Sequence, residues 1–334
     1  MPLSLARGRV TAIVERLDGL VRLEVDGTPC VAYPELTGPV ALDDEVLINV
    51  QARELELGSG GFDVLCANLT RGLGLAPERE AHVMKLPYTP LQAAVRHVEE
   101  DQPLAESLDG MPVVCCSLHS QVAPVCAALG GVRTAYVQVP GGALPVSLSD
   151  AVRALKARSL LEVTVAVGAC VEGDLQAVTV ASALAWAAAA GFDVVVCAVG
   201  PGIVGTGSPL GHGGLSAADA AHAAAALGGV PVIAVRASEG DPRTRHRGVS
   251  HHTRSVVRLG PRAAVVAWPR GVAAPEALQH EEVDVTGWQN ACASLPLSHM
   301  GRGPEEDEAF FATAYAAGAY AKVLMSRRHR PGPR

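Results

Sequence analysis

One short segment carries most of the chain's groups that could do chemistry. It reads DPRTRHRGVSHHT, spans residues 241–253, and holds three arginines, three histidines, an aspartate, a serine and two threonines. The surrounding chain is mostly alanine, valine, glycine and leucine. Guanidinium groups suit phosphate and carboxylate, often through two-point contacts, and imidazole exchanges protons near neutral pH. The segment therefore predicts a site for a small anionic molecule.

The arginines of this segment alternate along the chain. If the backbone there is extended, Arg243, Arg245 and Arg247 point to one side and form one wall of an anion pocket. Ser250 follows them and either adds a hydroxyl to the pocket or caps the next helix. Two alternatives stay open, namely a solvated basic loop and arginines that pair with acidic side chains.

The candidate catalytic residues are His246, His251 and Asp241. The imidazoles would act as general acid or base. A metal site is the competing interpretation, because His252, His119 and His212 are expected at the same place. Three nearby arginines would repel a divalent cation unless an anion intervenes. The sequence therefore predicts that no metal is bound.

A glycine-rich loop is expected to form the second wall of the pocket. GPGIVGTGSPLGHGG, residues 200–214, contains seven glycines and precedes Ser216, a candidate helix N-cap. Glycine lets the backbone approach a ligand closely, and free amides ahead of a helix bind anions. The predicted ligand contacts are Gly200, Gly202, Gly205, Thr206, Gly207 and Ser208, with Asp174 from a neighbouring loop. The alternative is a strand-to-helix crossover whose glycines serve only to fit the backbone into limited space.

These loops follow the strands of a predicted α/β domain. From Met111 to Ser238, five continuous apolar runs alternate with helical segments, including a helix over DLQAVTVASALAWAAAA. Such runs are typical of parallel strands covered by helices on both faces. The pattern predicts a doubly wound, mostly parallel, Rossmann-like sheet, whose ligands bind at the carboxyl ends of the strands.

The first part of the chain has a different pattern. Residues 1–70 contain five short runs rich in β-branched residues, separated by Gly, Pro and Asp, which predict a small SH3-like or OB-like barrel. Residues 71–110 are expected to form a linker and a helix over TPLQAAVRHVEED, residues 111–326 the α/β domain, and residues 327–334 a flexible basic tail. The barrel is acidic and poor in aromatic residues, unlike a nucleic-acid groove.

Composition limits the function classes. The 334 residues carry a net charge of −7, so neither nucleic acid nor an anionic membrane is an expected partner. The eight cysteines form no C-x-x-C pair and no signal peptide is seen, which favours the cytoplasm. The residues indicate no particular cofactor, and homo-oligomerisation stays open.

Three motifs carry a resemblance to a known family. ELGSGGFDVLCANL, GPGIVGTGS and DPRTRHRGVSHHT occur in this order, and the chain resembles an uncharacterised bacterial family, domain of unknown function 3866, over nearly its whole length. The resemblance implies no activity. The residues themselves favour an anion-binding protein, a hydrolase or group transferase, with a non-catalytic sensor or assembly protein and a metal-dependent hydrolase as alternatives.

Overall fold

The chain forms two compact units. A computed structural model describes residues 3–56, 61–72, 75, 78–275 and 278–328. The first unit is Met1–Val95 and the second is Arg96–Arg334. Of the tail predicted for residues 327–334, Arg327 and Arg328 end the last helix, and residues 329–334 lie outside the described ranges.

The first unit contains a closed five-stranded barrel. Its strands are β1 Leu5–Leu17, β2 Leu20–Val25, β3 Thr28–Ala32, β4 Glu45–Asn49 and β5 Asp63–Asn68. They close in the order β1-β2-β3-β5-β4, with only β3 and β5 parallel. Alternate side chains point inward, among them Val10, Leu23 and Leu65. The predicted barrel is confirmed, and its strand order is that of the OB-like alternative.

The rest of this unit corrects one prediction. The short helices α1 Pro34–Thr37 and α2 Gln51–Glu54 flank β4. The strands β6 Val83–Lys85 and β7 Ala93–Val95 form an antiparallel pair. The helix predicted over residues 89–101 is therefore wrong for its first half, and only α3 Val98–Asp101, in the second unit, is helical. A backbone hydrogen bond from Gln92 to Thr89 closes a turn before β7.

The second unit is built on an eight-stranded sheet. Its strands are β8 Pro112–Cys116, β9 Thr134–Val139, β10 Val163–Val167, β11 Leu175–Ala177, β12 Val194–Val199, β13 Val230–Ala234, β16 Val265–Pro269 and β17 Glu281–Val283. All neighbouring pairs are parallel, in the order β11-β10-β9-β12-β8-β13-β16-β17. A separate antiparallel pair, β14 Ala237–Ser238 and β15 Gly248–Val249, follows β13. The predicted parallel sheet is confirmed.

Helices cover both faces of this sheet. They are α4 Val122–Leu129, α5 Asp150–Ala157, α6 Val180–Ala189, α7 Ser216–Ala226, α8 His251–Leu259, α9 Trp288–Cys292 and α10 Glu308–Arg328. Cys115 of β8 belongs to the core shared with α6, α7 and α8, and its neighbour Cys116 to the core shared with α4, α5, α9 and α10. Strand residues are buried on both faces, which explains their continuous apolar runs.

Two predicted helix boundaries are corrected. The segment Leu175–Ala177 is the edge strand β11 and not the start of α6, which begins only after Thr179 caps it. Ser216 is the first residue of α7 and not its N-cap, and its hydroxyl donates to the Pro140 carbonyl at 2.6 Å. Within the described ranges, none of the helices has both the length and the apolar character needed to cross a bilayer.

Candidate functional site

The candidate site is built by the loops that follow β8, β12 and β13, which are neighbours in the sheet. His119, after β8, places Nδ1 3.2 Å from the carbonyl oxygen of Val199 at the end of β12. Gln121 donates from Nε2 to the carbonyl of Ala234 at the end of β13, at 3.0 Å. Short contacts between the strand ends thus bring these three loops together at one edge.

Glycines let the loops after β9 and β12 cross with their backbones in contact. A Cβ at Gly141 would overlap the backbone of Gly213, and a Cβ at Gly213 would overlap Gly141 in turn. Gly142 and Gly200 are equally crowded by backbone atoms. Gly141 also has a φ of +138°, a conformation that favours glycine. Gly200 is therefore needed for the crossing, whatever it contributes to a ligand.

The glycine loop folds into a hairpin and does not present an open row of amides. Gly205 pairs with His212 in an antiparallel bridge. The amides of Thr206 and Gly213 donate to carbonyls across that bridge, at 2.7 and 2.8 Å. The Thr206 hydroxyl accepts the amide of Ser208 at 3.1 Å. The loop was predicted to present free backbone amides to an anion, but several of these amides form hydrogen bonds within the loop. The hairpin instead positions His212.

Two more residues predicted for this loop lie on its surface. Gly202 and Gly207 are exposed, and Gly202 has a positive φ of 66°. A ligand contact by either glycine stays a prediction.

A buried aspartate organises the arginines near the site. Asp241 is fully buried and receives two hydrogen bonds from Arg243, at 2.9 and 2.8 Å. Arg236 and Arg302 place Nη2 3.3 and 3.5 Å from the same carboxylate. Arg302 also donates to Asp307 at 3.1 Å. Three guanidinium groups face two carboxylates, so one positive charge is left over.

Burial and ion pairing act against each other in this network. Burial would raise the pKa of Asp241, but hydrogen bonds and charge from Arg243 outweigh it and hold the pKa well below its usual range. Burial lowers the pKa of Arg236 to about 10, which still leaves the guanidinium charged at neutral pH. The Nε of Arg236 is buried without a hydrogen-bond partner. Asp241, predicted to be catalytic, is thus committed to ion pairs.

The arginines do not form the extended row that alternation suggests. Residues Thr244–His246 make a 3₁₀ turn, so the side chains of the segment leave in different directions. Arg243 turns to Asp241, and Arg247 donates from Nε to the Asp241 carbonyl at 3.3 Å. Arg245 is exposed, and no ion pair joins it to any described residue. Its charge lowers the pKa of His251, so the two side chains are near each other.

Ser250 fixes the start of α8. Its hydroxyl accepts the backbone amide of His252 at 3.2 Å, which caps the helix. The same oxygen lies 2.7 Å from Nδ1 of His246. One buried serine therefore positions His246 and the first turn of α8, which carries His251.

Four imidazoles meet beside the hairpin and the first turn of α8. The rings of His212 and His252 stack with centroids 3.8 Å apart. His251 lies 4.5 Å from His252 and 4.8 Å from His246, between centroids. His212, His246 and His252 expose only 6, 2 and 6% of their surface. One ligating nitrogen from each of His212, His251 and His252 can be chosen so that all lie within 4.8 Å of one another.

The cluster is neutral and incompletely hydrogen-bonded. Burial first, and neighbouring positive charge next, lower the pKa of His246 to about 3 and of His252 to about 2. Burial also lowers the pKa of His212 and His251. Both ring nitrogens of His212 and of His251 are buried without a hydrogen-bond partner, although the Pro209 carbonyl approaches His212. Neutral imidazoles with free lone pairs can bind metal or accept a proton.

Asp174, predicted to contact the ligand, is engaged elsewhere. Its carboxylate accepts from Lys156 at 2.6 Å and from the amide of Thr164 at 2.8 Å. Thr164 lies near the beginning of β10, and three strands separate β10 from β13. The structure therefore places Asp174 away from the histidines and corrects its assignment to the pocket.

The sequence prediction missed several members of the site. Arg236 lies five residues before the segment and was given no role, and Arg302 and Asp307 lie some sixty residues further along the chain. Nothing local marks Arg302 as a partner of Asp241. His212 was expected at the same edge as His251 and His252, but its burial became visible only with the hairpin.

The comparisons with known proteins identify a family and no activity. The sequence model described as Protein of unknown function (DUF3866) matches residues 29–318, which include the last three of the five barrel strands and almost all of the α/β unit. A search of curated proteins finds no significant match.

Proposed function

The chain belongs to the DUF3866 family, and we propose that it binds a small phosphate- or carboxylate-bearing molecule at the carboxyl ends of β8, β12 and β13. One observation carries the proposal. The guanidinium of Arg236 is almost fully buried, its network holds one more arginine than carboxylates, and its Nε–H has no acceptor. A buried donor without a partner costs about 1–3 kcal/mol, and an anion would satisfy both the donor and the surplus charge.

One of the two exposed arginines of the segment, Arg245, supplies the entry side of this pocket. Arg245 has no acidic partner among the described residues and lies near His251. A guanidinium that is not engaged in an ion pair can form hydrogen bonds with a ligand. We propose that Arg245 binds the anion, that Arg236 provides the surplus charge, and that Arg243 and Arg302 hold Asp241.

Hydrolysis or group transfer is the proposed chemistry. His251 is neutral and lies near Arg245, and its two ring nitrogens are buried without a hydrogen-bond partner, so one of them can accept a proton from a hydroxyl of a bound substrate. His246 is buried behind it and bonded to Ser250, so it is better suited to positioning.

Calorimetric titration tests the binding. Inorganic phosphate, nucleotides and sugar phosphates are titrated into wild type, Arg245→Ala and a control, Arg258→Ala, which removes an exposed arginine from the last turn of α8. A charge-assisted contact is worth about 1.5–3 kcal/mol, so Arg245→Ala should weaken binding roughly ten- to a hundredfold. The control should bind like wild type.

Two results would reject or narrow this proposal. Equal binding by Arg245→Ala and Arg258→Ala would remove Arg245 from the site, and no binding of any anion would reject the pocket. Ligands that bind are then incubated with the protein and examined for products. Tight binding with no turnover would favour the ligand sensor over the enzyme.

A further inference from the structure

We propose that His212, His251 and His252 form a binding site for one divalent transition metal ion, with Zn²⁺ as the best-suited candidate. The inference rests on imidazole nitrogens and not on the arginines of the anion pocket, although a His251 bound to metal would no longer serve as the general base proposed above. It also contradicts the prediction from the sequence that no metal is bound, which rests on the nearby arginines.

Unsatisfied nitrogens are the first observation. His212 is 6% exposed, and both of its ring nitrogens, like both of those of His251, are buried without a hydrogen-bond partner. A buried polar atom without a partner costs about 1–3 kcal/mol. Four such atoms in adjacent side chains form an expensive arrangement in a chain whose other buried polar groups are mostly paired. A metal ion would use one nitrogen of each ring and remove part of that cost.

The spacing of the rings is the second observation. One nitrogen from each of the three histidines can be selected with no separation above 4.8 Å. In a tetrahedral zinc site with Zn–N distances of about 2.1 Å, two ligating nitrogens lie about 3.4 Å apart. The widest pair must therefore close by about 1.4 Å, which rotations shared between two side chains can supply.

The way the rings are presented supports the same site. His251 and His252 are adjacent on a helix and would normally diverge, but they lie in the first turn of α8, where the hairpin brings His212 against them. His212 is fixed in turn by its bridge to Gly205. Two rigid elements thus converge on one point, as a preformed metal site requires.

The third ligand needs one rearrangement. Arg236 donates to Nδ1 of His252 at 3.2 Å, so in the metal-free protein the ring proton sits on Nε2. Ligation by His252 through Nε2 requires Arg236 to give up this contact. Asp241 can retain the guanidinium, because Nη2 already lies 3.3 Å from its carboxylate. His212 and His251 require no comparable change.

The donor set defines the metal class. Three imidazoles suit zinc, copper, nickel and iron, whereas Mg²⁺ and Ca²⁺ require oxygen ligands. Three protein ligands leave a position for water or substrate, which is the pattern of catalytic and not structural zinc. A metal held there would lie beside the proposed anion pocket.

Metal titration of the full chain tests the site. Zn²⁺ and Co²⁺ are titrated separately into chelator-treated wild type, His212→Gln, His251→Gln, and a matched control, His222→Gln, whose ring bonds the Leu259 carbonyl on the protein surface. We expect one ion per chain in wild type and in the control. Loss of an outer-sphere partner alone weakens metal sites 10- to 100-fold, so loss of a ligand should weaken binding by about a hundredfold or more.

Further readouts keep the test decisive where a variant folds poorly. Circular dichroism and thermal melts establish folding. The visible absorption of bound Co²⁺ reports imidazole coordination in the wild type itself, without recourse to any ligand variant. Wild type that binds neither ion, or that binds them without the Co²⁺ signature, would overturn the proposal. So would folded variants that bind like His222→Gln. Phosphate binding in the metal-free protein is measured in parallel, which separates failure of this site from failure of the anion pocket.

Discussion

Replacing Asp241 by Asn should destabilise the protein strongly. Asp241 is fully buried and faces three guanidinium groups, of which that of Arg236 is only 3% exposed. Asparagine keeps the shape but removes the negative charge, and one orientation of its amide points N–H groups at the arginines. Asp307, which pairs with Arg302, would then be the one carboxylate left in this network of described residues.

The magnitude follows from the burial of the pair. Removing one partner of a buried ion pair costs about 3–5 kcal/mol, because the other charge stays buried and uncompensated. This is a large part of the 5–15 kcal/mol that typically stabilises a domain. An exposed pair provides the contrast: Arg133 and Glu162 have side chains about half exposed. Glu162→Gln should therefore cost no more than about 1 kcal/mol.

Denaturant unfolding at neutral pH measures both variants against wild type. We expect Asp241→Asn to lower the free energy of unfolding several times more than Glu162→Gln does. Phosphate titration adds a second readout, since removing a negative charge raises the surplus positive charge and should tighten phosphate binding to the folded fraction. If Asp241→Asn is no less stable than Glu162→Gln, Asp241 does not hold the network together.

Two other variants examine the hairpin and the buried histidines. Gly205→Val should abolish metal binding in Co²⁺ titrations, because a Cβ there would lie 3.0 Å from the Cβ of His212 and displace the ring; metal binding at the wild-type level would show that the hairpin does not position His212. His299, 2% exposed and stacked on Phe310, has its pKa lowered by burial to about 3. The unfolded chain therefore takes up this proton at higher pH than the folded chain, and stability falls below pH ~6.5. Between pH 7 and pH 5 this histidine should lower the free energy of unfolding by about 2 kcal/mol. His299→Gln should lack this loss in denaturant melts at the two pH values. An equal loss in wild type and variant would show that His299 is not its source.

The parallel sheet could be predicted because its signal is repeated. Each strand is a continuous apolar run, and both of its faces are buried under helices. The weaker signals failed at short elements. Leu175–Ala177 begins an apolar, alanine-rich segment that is helical further on, yet these three residues pair with β10 as the edge strand of the sheet. Residues 93–95 look helical but form a strand with β6. Tertiary pairing overrides local preference in such short segments.

The location of the site could be predicted, but most of its contacts could not. Carboxyl ends of parallel strands share one edge, so the loops had to converge. Which arginines are held in ion pairs depends on Asp241, and its partner Arg302 lies 61 residues away. The alternation of Arg243, Arg245 and Arg247 suggested one wall, whereas a 3₁₀ turn sends them to different partners. Sequence spacing does not encode that turn.

The charges of the site link its two proposed ligands. The sequence predicts no bound metal because arginines repel a divalent cation, and that prediction is still to be tested. Asp241 and Asp307 cancel two of three arginine charges, so a dication would raise the local surplus from one positive charge to three. A phosphate dianion would return it to one. Metal and phosphate should therefore bind cooperatively, and each must raise the affinity of the other by the same factor.

Calorimetry can measure this coupling in both directions. Phosphate is titrated into metal-free and zinc-loaded protein at micromolar zinc, and zinc into protein with and without phosphate. Coupling of this kind is typically about 5- to 150-fold, and we expect at least the lower value. Equal phosphate affinity with and without zinc would mean that the ions bind too far apart to interact. Weaker binding of phosphate to the zinc-loaded protein would mean that they compete for the same groups, and the histidine cluster and the arginine pocket would then be alternative sites for the two ions.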